Sequence, residues 1–271
     1  MSSTKILFTD LDGTLLNKER NISCKNRQTI EKALKQNHKI VIATGRPLPS
    51  VLHLVEDLGL TSKGCYAITY NGGLIYDCYN NEAIFKTTLA LDYVRYILDQ
   101  AQKSNIHCHT YSNNYVISEK KTKELETYCS RIKVPYEIVE NITTYLAEEP
   151  VKTVMLDLAG RDRLSKIQAE MATWCSGKIN CYFSSSNILE FGPLDATKGH
   201  AVKFLCNYLD IPIENSIAAG DEENDISMLQ AAGVGAVMAN ASNEIKKYGD
   251  YVTQRNNNND GIAEIIEKFL L

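Results

Sequence analysis

The chain has 271 residues and a mass of 30.3 kDa, and its 44% hydrophobic and 23% charged residues are close to the averages of folded globular proteins, which excludes a wholly disordered chain. Its 29 basic and 33 acidic residues give a formal net charge of −4, which offers no positive field for a nucleic-acid backbone or an anionic membrane. No apolar run approaches the roughly 20 residues that span a bilayer, and the apolar stretch near the N-terminus is too short for a signal peptide, so we expect a cytoplasmic protein.

The first part of the chain alternates strands with helices, and the last part repeats this order. In chain order the pattern first predicts a strand over Lys5–Thr9, a helix over Lys25–Gln36 capped by Ser23, a strand over Lys39–Ala43, a helix over Ser50–Leu58 ended by Gly59, and a strand over Tyr66–Thr69. Near the C-terminus it predicts a helix over Lys198–Leu209, a strand over Ser216–Ala219, a helix over Asn224–Ala232, a strand over Gly235–Met238, and a helix over Gly261–Leu270 capped by Asp260. Such alternation is typical of a parallel sheet covered by helices.

The middle of the chain has a different pattern, in which strands are joined by hairpins. It predicts a helix over Leu91–Lys103, strands over His107–Tyr111 and Tyr115–Ser118, a helix over Lys120–Ile132, a strand over Lys152–Leu158, a helix over Arg163–Cys175, and a strand over Asn180–Phe183. Asn113-Asn114 is a hairpin signal, and the tract Asn256–Asn259 indicates a polar loop. We therefore expect an α/β protein whose Rossmann-like core, residues 1–84 and 187–271, contains an inserted α+β cap domain over residues 85–186.

Two acidic clusters follow predicted strands of the core. The segment Asp10-Leu11-Asp12-Gly13-Thr14-Leu15 comes directly after the first strand, and Gly220–Asp225 follows the strand that ends at Ala219. The carboxyl ends of parallel strands are where open α/β sheets bind ligands, so the acids of both clusters should converge there. Carboxylates that close repel one another unless a hard cation such as Mg²⁺ lies among them. The alternatives are a turn-forming aspartate pair and an acidic helix N-terminus.

Two further segments suit a phosphate group. Thr44-Gly45-Arg46 ends the second strand and offers a hydroxyl, a flexible backbone and a guanidinium group. Thr197-Lys198-Gly199 opens a predicted helix, where a lysine and unpaired backbone N–H groups can bind an anion.

Together these segments resemble the haloacid dehalogenase superfamily of phosphotransferases, and within it the Cof-type phosphatases that carry a large α/β cap of class IIB. The resemblance spans the chain through Asp10–Leu15, Thr44–Arg46, Asn71-Gly72-Gly73, Lys198-Gly199 and Gly220–Asp225. The inserted segment lies between the second and third of the family's motifs, as in that subclass.

The resemblance implies a role for each matching residue. Asp10 would be the nucleophile that forms an aspartyl-phosphate, and Asp12 the general acid and base. Metal ligation would come from Asp10, Asp12 through its backbone carbonyl, Asp221 and Asp225, the last directly or through water. Phosphate or substrate would be bound by Thr44, Gly45, Arg46, Asn71, Lys198 and Asn224.

We therefore predict a Mg²⁺-dependent phosphatase that hydrolyses small phosphorylated metabolites, with sugar phosphates or phosphorylated cofactors as substrates. We expect a monomer or small homo-oligomer that binds neither nucleic acid nor membrane. A phosphosugar mutase of the same superfamily and a non-enzymatic phosphometabolite-binding protein are the alternatives. His107 and His109 share one strand face, but without a third ligand at suitable spacing we expect them to be packing residues.

Overall fold

The computed structural model describes residues 4–271, and its elements follow in chain order. The first are β1 (Ile6–Thr9), α1 (Cys24–Lys35), β2 (Lys39–Ala43), α2 (Leu52–Asp57), β3 (Tyr66–Thr69), β4 (Leu74–Asp77) and β5 (Glu82–Lys86). Next come α3 (Leu91–Lys103), β6 (His107–Tyr111), β7 (Val116–Ser118), α4 (Lys123–Ile132), β8 (Tyr136–Ile138), α5 (Ile142–Tyr145), β9 (Thr153–Leu156), α6 (Asp162–Cys175), β10 (Ile179–Ser185) and β11 (Ile188–Pro193). The last are α7 (Lys198–Tyr208), β12 (Ser216–Gly220), α8 (Ile226–Ala231), β13 (Val234–Val237), α9 (Asn243–Lys246), β14 (Tyr251–Val252) and α10 (Gly261–Phe269). Short 3₁₀ helices lie at Leu48–Ser50, Tyr70–Gly72, Ile213–Asn215 and Glu223–Asp225.

The chain divides into two compact units. The first contains the residues up to Gly45, Val51–Phe85 and Thr197–Leu271, and the second contains Arg46–Ser50 and Lys86–Ala196. No helix within residues 4–271 is both long enough and apolar enough to cross a bilayer.

The first unit is built on a sheet with the strand order β14-β13-β12-β1-β2-β3-β4-β5. The strands from β14 to β3 pair in parallel, and β4 runs antiparallel to β3. Thr9, the last residue of β1, pairs with Ala219 of β12, so the two strands end side by side. The predicted α/β fold with a parallel-sheet core is confirmed.

Strand β1 shows why this segment becomes the centre of the sheet. Successive side chains of a strand point to opposite faces, and each face of β1 meets a separate apolar layer. Leu7 packs in a buried cluster with residues of α1 and α10, whereas Ile6 and Phe8 pack with residues of α7 and α8. A strand covered on both faces needs a continuous apolar run, and Ile-Leu-Phe supplies it.

The second unit contains the six-stranded sheet β10-β11-β9-β6-β7-β8. Antiparallel pairs predominate, and the predicted hairpin at Asn113-Asn114 joins the antiparallel strands β6 and β7. Strand β11 is buried along its whole length between β10 and β9, and the sequence did not predict it. The second compact unit therefore extends to Ala196, past the predicted domain boundary at residue 186. The run Ser184-Ser185-Ser186-Asn187 before β11 is typical of a loop and obscured the strand.

Two predicted helices begin differently in the structure, and one predicted helix cap lacks its side-chain hydrogen bond. The segment predicted as one helix over Ser50–Leu58 is a 3₁₀ turn followed by the shorter α2. The helix predicted to begin at Asn224 begins instead as the 3₁₀ turn Glu223–Asp225. Asp260 is the N-cap residue of α10, as predicted, but its side chain makes no capping hydrogen bond: its backbone is left-handed (φ 68°), and its carboxylate accepts a 2.5 Å hydrogen bond from Ser23 Oγ.

A chain of hydrogen-bonded polar side chains lies inside the second unit. His107 Nε2 is 3.0 Å from His109 Nδ1, His109 Nε2 is 3.4 Å from the Tyr111 hydroxyl, and Tyr111 bonds to Tyr128 at 2.5 Å. The Thr122 hydroxyl is 3.0 Å from His107 Nδ1 and forms the other end of this series of hydrogen bonds. Both histidines therefore have partners within the protein, and burial keeps them neutral: it lowers the pKa of His107 to about 4 and lowers the pKa of His109 well below its usual value.

The half-buried His107 should make the second unit sensitive to acid. Between about pH 6.5 and pH 4 the unfolded chain binds a proton at this residue that the folded chain does not, so the free energy of unfolding falls as the pH drops through this window. The difference between the two pKa values corresponds to a loss on the order of 3 kcal/mol. His107→Gln should flatten this pH dependence, measured by urea unfolding with the fluorescence of Trp174, the only tryptophan of the chain, which lies in α6.

The control for this experiment is His200→Gln, because His200 is exposed and belongs to the first unit. It should leave the slope of unfolding free energy against pH unchanged. Equal slopes for the wild type and His107→Gln would show that His107 does not contribute to the pH dependence.

Candidate active site

Three carboxylates meet at the carboxyl edge of the first unit's sheet. Asp10 follows β1 and Asp221 follows β12. Asp225 is the last residue of the 3₁₀ turn Glu223–Asp225, which lies between β12 and α8. All three residues are buried, and each has a carboxylate oxygen within 4.8 Å of the other two. The side-by-side ends of β1 and β12 bring Asp10 and Asp221 together, as the sequence predicts for neighbouring parallel strands.

Lys198 connects two of these carboxylates. It is the first residue of α7 and is fully buried, and its Nζ lies 2.5 Å from both Asp10 Oδ1 and Asp225 Oδ1. The preceding Thr197 caps the helix, because its hydroxyl accepts a hydrogen bond from the backbone N–H of His200. Although burial alone would lower the pKa of Lys198, Asp10 and Asp225 raise it above its usual value, so the ammonium group stays charged.

Asp225 has no carboxylate oxygen left without a protein partner. Its Oδ1 accepts from Lys198, and its Oδ2 accepts from the backbone N–H groups of Asp221 and Glu222 at 2.9 and 3.1 Å. These bonds close the turn after β12 and explain why the chain forms a 3₁₀ turn before α8. Asp225 therefore holds Lys198 and the backbone of Asp221 at the same time.

The turn after β1 is shaped to fit Asp221. The hydroxyl of Thr14 donates a 2.7 Å hydrogen bond to Asp221 Oδ1. Gly13 has a φ of +85°, which favours glycine, and a Cβ at this position would overlap the Asp221 carboxylate. The Gly-Thr pair that follows the two aspartates is thus explained by contact with the second acidic cluster. Thr14 belongs to the site through this hydrogen bond, a role that the sequence did not indicate.

The electrostatics of the cluster favour a bound cation. Burial raises the pKa of Asp10 well above its usual value, and the neighbouring carboxylates add to this while Lys198 opposes it. Burial likewise raises the pKa of Asp221 to about 7, opposed by the hydrogen bond from Thr14. One lysine thus faces three buried carboxylates, and carboxylate oxygens are the donor atoms that Mg²⁺ prefers. The donor set therefore fits a hard divalent cation.

The residues predicted to bind phosphate lie at the ends of neighbouring strands. Thr44 is buried after β2, and its carbonyl oxygen accepts a 3.0 Å hydrogen bond from the backbone N–H of Asn71. The side chain of Asn71 accepts in turn from Asn224 Nδ2 at 2.9 Å. The Cα of Gly45 packs against the Asn71 side chain so closely that a Cβ would lie 3.0 Å from Asn71 Oδ1. The structure thus brings Thr44, Gly45, Asn71 and Asn224 together.

The two remaining predicted residues are Asp12 and Arg46. Asp12 is exposed, two residues beyond Asp10, while the intervening Leu11 is buried in the core. Arg46 is half-buried and belongs to the second unit. Its role in substrate binding stays a prediction.

The chain matches known proteins along nearly its whole length. The family model of haloacid dehalogenase-like hydrolases matches residues 7–266. A Streptococcus pyogenes serotype M6 protein provisionally named a phosphatase, M6_Spy0533, is 32% identical over 99% of each chain. The 5-amino-6-(5-phospho-D-ribitylamino)uracil phosphatase YcsE of Bacillus subtilis is 31% identical over 98% of this chain and 96% of its own. A solved haloacid dehalogenase-like hydrolase from Bacteroides thetaiotaomicron superposes with a TM-score of 0.89 at 28% identity, covering 98% of this chain and 99% of that one.

The matching family model and the similar phosphatases define the class of the enzyme. The chain belongs to the haloacid dehalogenase-like hydrolases and is a phosphatase, that is, a phosphoric monoester hydrolase. The predicted resemblance to the Cof-type phosphatases with a large α/β insertion is confirmed.

The ion pairs of Lys198 should make Asp225 essential for stability. Asp225→Ala leaves the buried ammonium with one carboxylate and frees two backbone N–H groups, so we expect it to lower the free energy of unfolding by about 3–5 kcal/mol. Chemical unfolding followed by far-UV circular dichroism measures the change. The matched control is Asp99→Ala, since Asp99 is exposed on α3, and it should change the free energy by less than about 0.5 kcal/mol. Similar stabilities of the two variants would contradict the assigned role of Asp225.

Proposed function

We propose that the protein is a Mg²⁺-dependent phosphatase that hydrolyses small phosphorylated metabolites through an aspartyl-phosphate on Asp10. The observation that carries the proposal is the 2.5 Å contact between the buried Lys198 ammonium and Asp10 Oδ1, beside two further carboxylates. This contact orients a carboxylate in the core and places a positive charge next to it. A purely structural ion pair would not require the additional buried acid Asp221.

In the first step a carboxylate oxygen of Asp10 attacks the phosphorus of the substrate. The new bond joins the Asp10 oxygen to phosphorus, and the bond between phosphorus and the ester oxygen breaks. Asp12 gives its proton to the departing oxygen, so the leaving group departs as an alcohol. The exposed position of Asp12 on the same turn supports its access to a group that arrives from solvent.

In the second step water attacks the aspartyl-phosphate, and Asp12 accepts the proton that the water loses. The bond between phosphorus and the Asp10 oxygen breaks, inorganic phosphate leaves, and both aspartates return to their starting states. Lys198 screens Asp10 from the negative phosphoryl group in both steps. Thr44 and Lys198 would hold phosphoryl oxygens, with Gly45, Arg46, Asn71 and Asn224 on the substrate side.

The residues that would hold Mg²⁺ are Asp10, Asp221 and the backbone carbonyl of Asp12. When bound, the ion neutralises negative charge so that a carboxylate and a phosphate can approach each other. Asp225, which the sequence also placed among the metal ligands, has both oxygens engaged by Lys198 and backbone N–H groups. We propose that Asp225 holds Lys198 and the Asp221 turn instead of binding the metal directly.

The family and the name of one relative support the proposed substrate class. YcsE is named for a substrate in which a phosphorylated ribityl chain is attached to a uracil ring, which combines a sugar-like phosphate ester with a heterocycle. This supports phosphorylated sugars or phosphorylated cofactors as substrates of the present chain. The cytoplasmic location and the monomeric or small oligomeric state stay predictions.

Replacing the proposed nucleophile should abolish turnover. Asp10→Asn cannot attack phosphorus, so phosphate release should fall below about 1% of the wild-type kcat, a loss of at least about 3 kcal/mol of barrier stabilisation. The measurement is phosphate release from a panel of about a hundred phosphorylated metabolites with MgCl₂, since fold does not determine substrate. No second phosphosugar is added, so release itself separates a phosphatase from a mutase.

The control for this experiment is Asp99→Asn, an exposed acid of α3, which should keep wild-type turnover. Residual Asp10→Asn activity above about 1%, in a protein with the wild-type circular dichroism spectrum, would remove Asp10 from the role of nucleophile. Isomerisation of a sugar phosphate with negligible phosphate release would favour the mutase.

Binding of Mg²⁺ should be measurable without substrate. At ten times its Kd the ion should stabilise the fold by about 1.4 kcal/mol, which corresponds to a rise in Tm of roughly 2–5 °C for a chain of this size. Asp221→Asn removes a ligand, so the rise should shrink sharply, while the metal-free Tm should increase because one repelling charge is lost. Glu214→Gln, an exposed acid of the same unit, should leave both quantities unchanged. A constant Tm between 0 and about 20 mM MgCl₂ would contradict the metal site.

A further inference from the structure

Asn240 connects the two acidic segments of the site, and it lies just beyond the end of β13. Its Nδ2 donates a 2.8 Å hydrogen bond to the carbonyl oxygen of Gly13 and lies 3.4 Å from Asp221 Oδ2. Because β13 pairs in parallel with β12, its carboxyl end reaches the same edge of the sheet. Asn240 therefore contacts the turn that follows Asp10 and the acid that follows β12.

The orientation of the Asn240 amide is fixed by a third hydrogen bond. Its Oδ1 accepts from the backbone N–H of Asn257 at 3.1 Å. A carboxamide oxygen can only accept and its nitrogen can only donate, so this bond requires the nitrogen to face Gly13 and Asp221. The amide is thus held with its donor group toward the site.

The asparagine tract before α10 also holds the turn after β1. Asn257 Nδ2 donates to the carbonyl oxygen of Leu16 at 2.9 Å, and Asn258 Oδ1 accepts from the backbone N–H of Lys18 at 2.9 Å. Asn259 differs from its neighbours. Its backbone N–H donates to the carbonyl oxygen of Asn256, and its side chain makes no hydrogen bond within residues 4–271. A tract that the sequence indicates only as a polar loop is thus hydrogen-bonded to the turn after β1.

We infer that Asn240 is a positioning residue for Asp221, held in its orientation by Asn257; this inference rests on the proposed function. Thr14 donates to Asp221 Oδ1 and Asn240 donates to Asp221 Oδ2, so the two donors restrict rotation of the carboxylate from both sides. The bond to the Gly13 carbonyl restrains the turn that carries Asp10 and Asp12. Side chains that orient a metal ligand raise metal affinity because the ligand need not be ordered on binding.

The experiment is isothermal titration calorimetry of MgCl₂ into the substrate-free full-length protein. Asn240→Ala should raise the Kd for Mg²⁺ about tenfold, at the lower end of the range for residues that orient metal ligands. Asn257→Ala should raise it less, because this variant keeps the backbone N–H that orients Asn240. Asn259→Ala is the matched control within the same tract and should retain the wild-type Kd. If Asn240→Ala does not fold, Asn240→Ser takes its place with the same expected change.

A second measurement separates positioning from a structural role. If Asn240 acts through Asp221, Asn240→Ala should lose phosphate release at limiting Mg²⁺ and recover it at saturating Mg²⁺. A residue that only stabilises the fold would show no such recovery.

A wild-type Kd, within about twofold, in folded Asn240→Ala would overturn the inference and leave the metal site standing. The same rise in Kd for Asn259→Ala as for Asn240→Ala would also overturn it, since the effect would not depend on the bond to Asp221. Failure of the wild-type protein to bind Mg²⁺ would overturn the metal part of the proposed function, and this inference with it.

Discussion

The fully buried ammonium group of Lys198 is the constraint on which the fold and the site of the first unit depend. A charge in the protein interior is tolerated only when opposite charges accompany it, and here Asp10 and Asp225 each lie 2.5 Å away. Asp10 is 188 residues distant along the chain, so the pair joins the first strand of the sheet to a helix near the end of the sequence. The same contact therefore joins two parts of a unit that the inserted residues interrupt, and in the proposed mechanism it holds the attacking carboxylate.

The central strands and the acidic edge could be predicted because both follow from local patterns. Ile-Leu-Phe and the β-branched run of β2 fit strands covered on both faces, and parallel strands bring their carboxyl ends together whatever the helices between them do. The convergence of Asp10 and Asp221 required nothing more. Strands β5 and β11 could not be predicted in this way. Strand β5 is largely exposed, and the apolar run of β11, although buried, is interrupted by Glu190 and ends in Gly192-Pro193.

Side-chain partners were harder to predict than elements. Asp221 and Asp225 are identical residues of one acidic cluster, so the sequence does not distinguish their roles. In the structure the carboxylate oxygens of Asp225 accept hydrogen bonds from a lysine and two backbone N–H groups. Aspartate is a preferred N-cap residue, but the backbone of Asp260 is left-handed and its carboxylate accepts a hydrogen bond from Ser23 instead of capping the helix. Asn240 follows a predicted strand of the parallel sheet, so the strand-end argument applied to Asp221 also places it at this edge. Which hydrogen bonds such residues form depends on neighbours distant in the sequence.

The charge balance of the edge links its stability to its chemistry. Asp10, Asp221 and Asp225 place three carboxylates around the one ammonium of Lys198, so this buried cluster has an excess of negative charge when all four groups are ionised. A phosphate ester would add further negative charge at the same place. Burial relieves part of the excess by raising the pKa of Asp10 and Asp221, which favours their protonated forms. A protonated Asp10 is a poor nucleophile, so in the proposed mechanism a bound divalent cation would both offset the negative charge of the substrate and keep Asp10 ionised for attack.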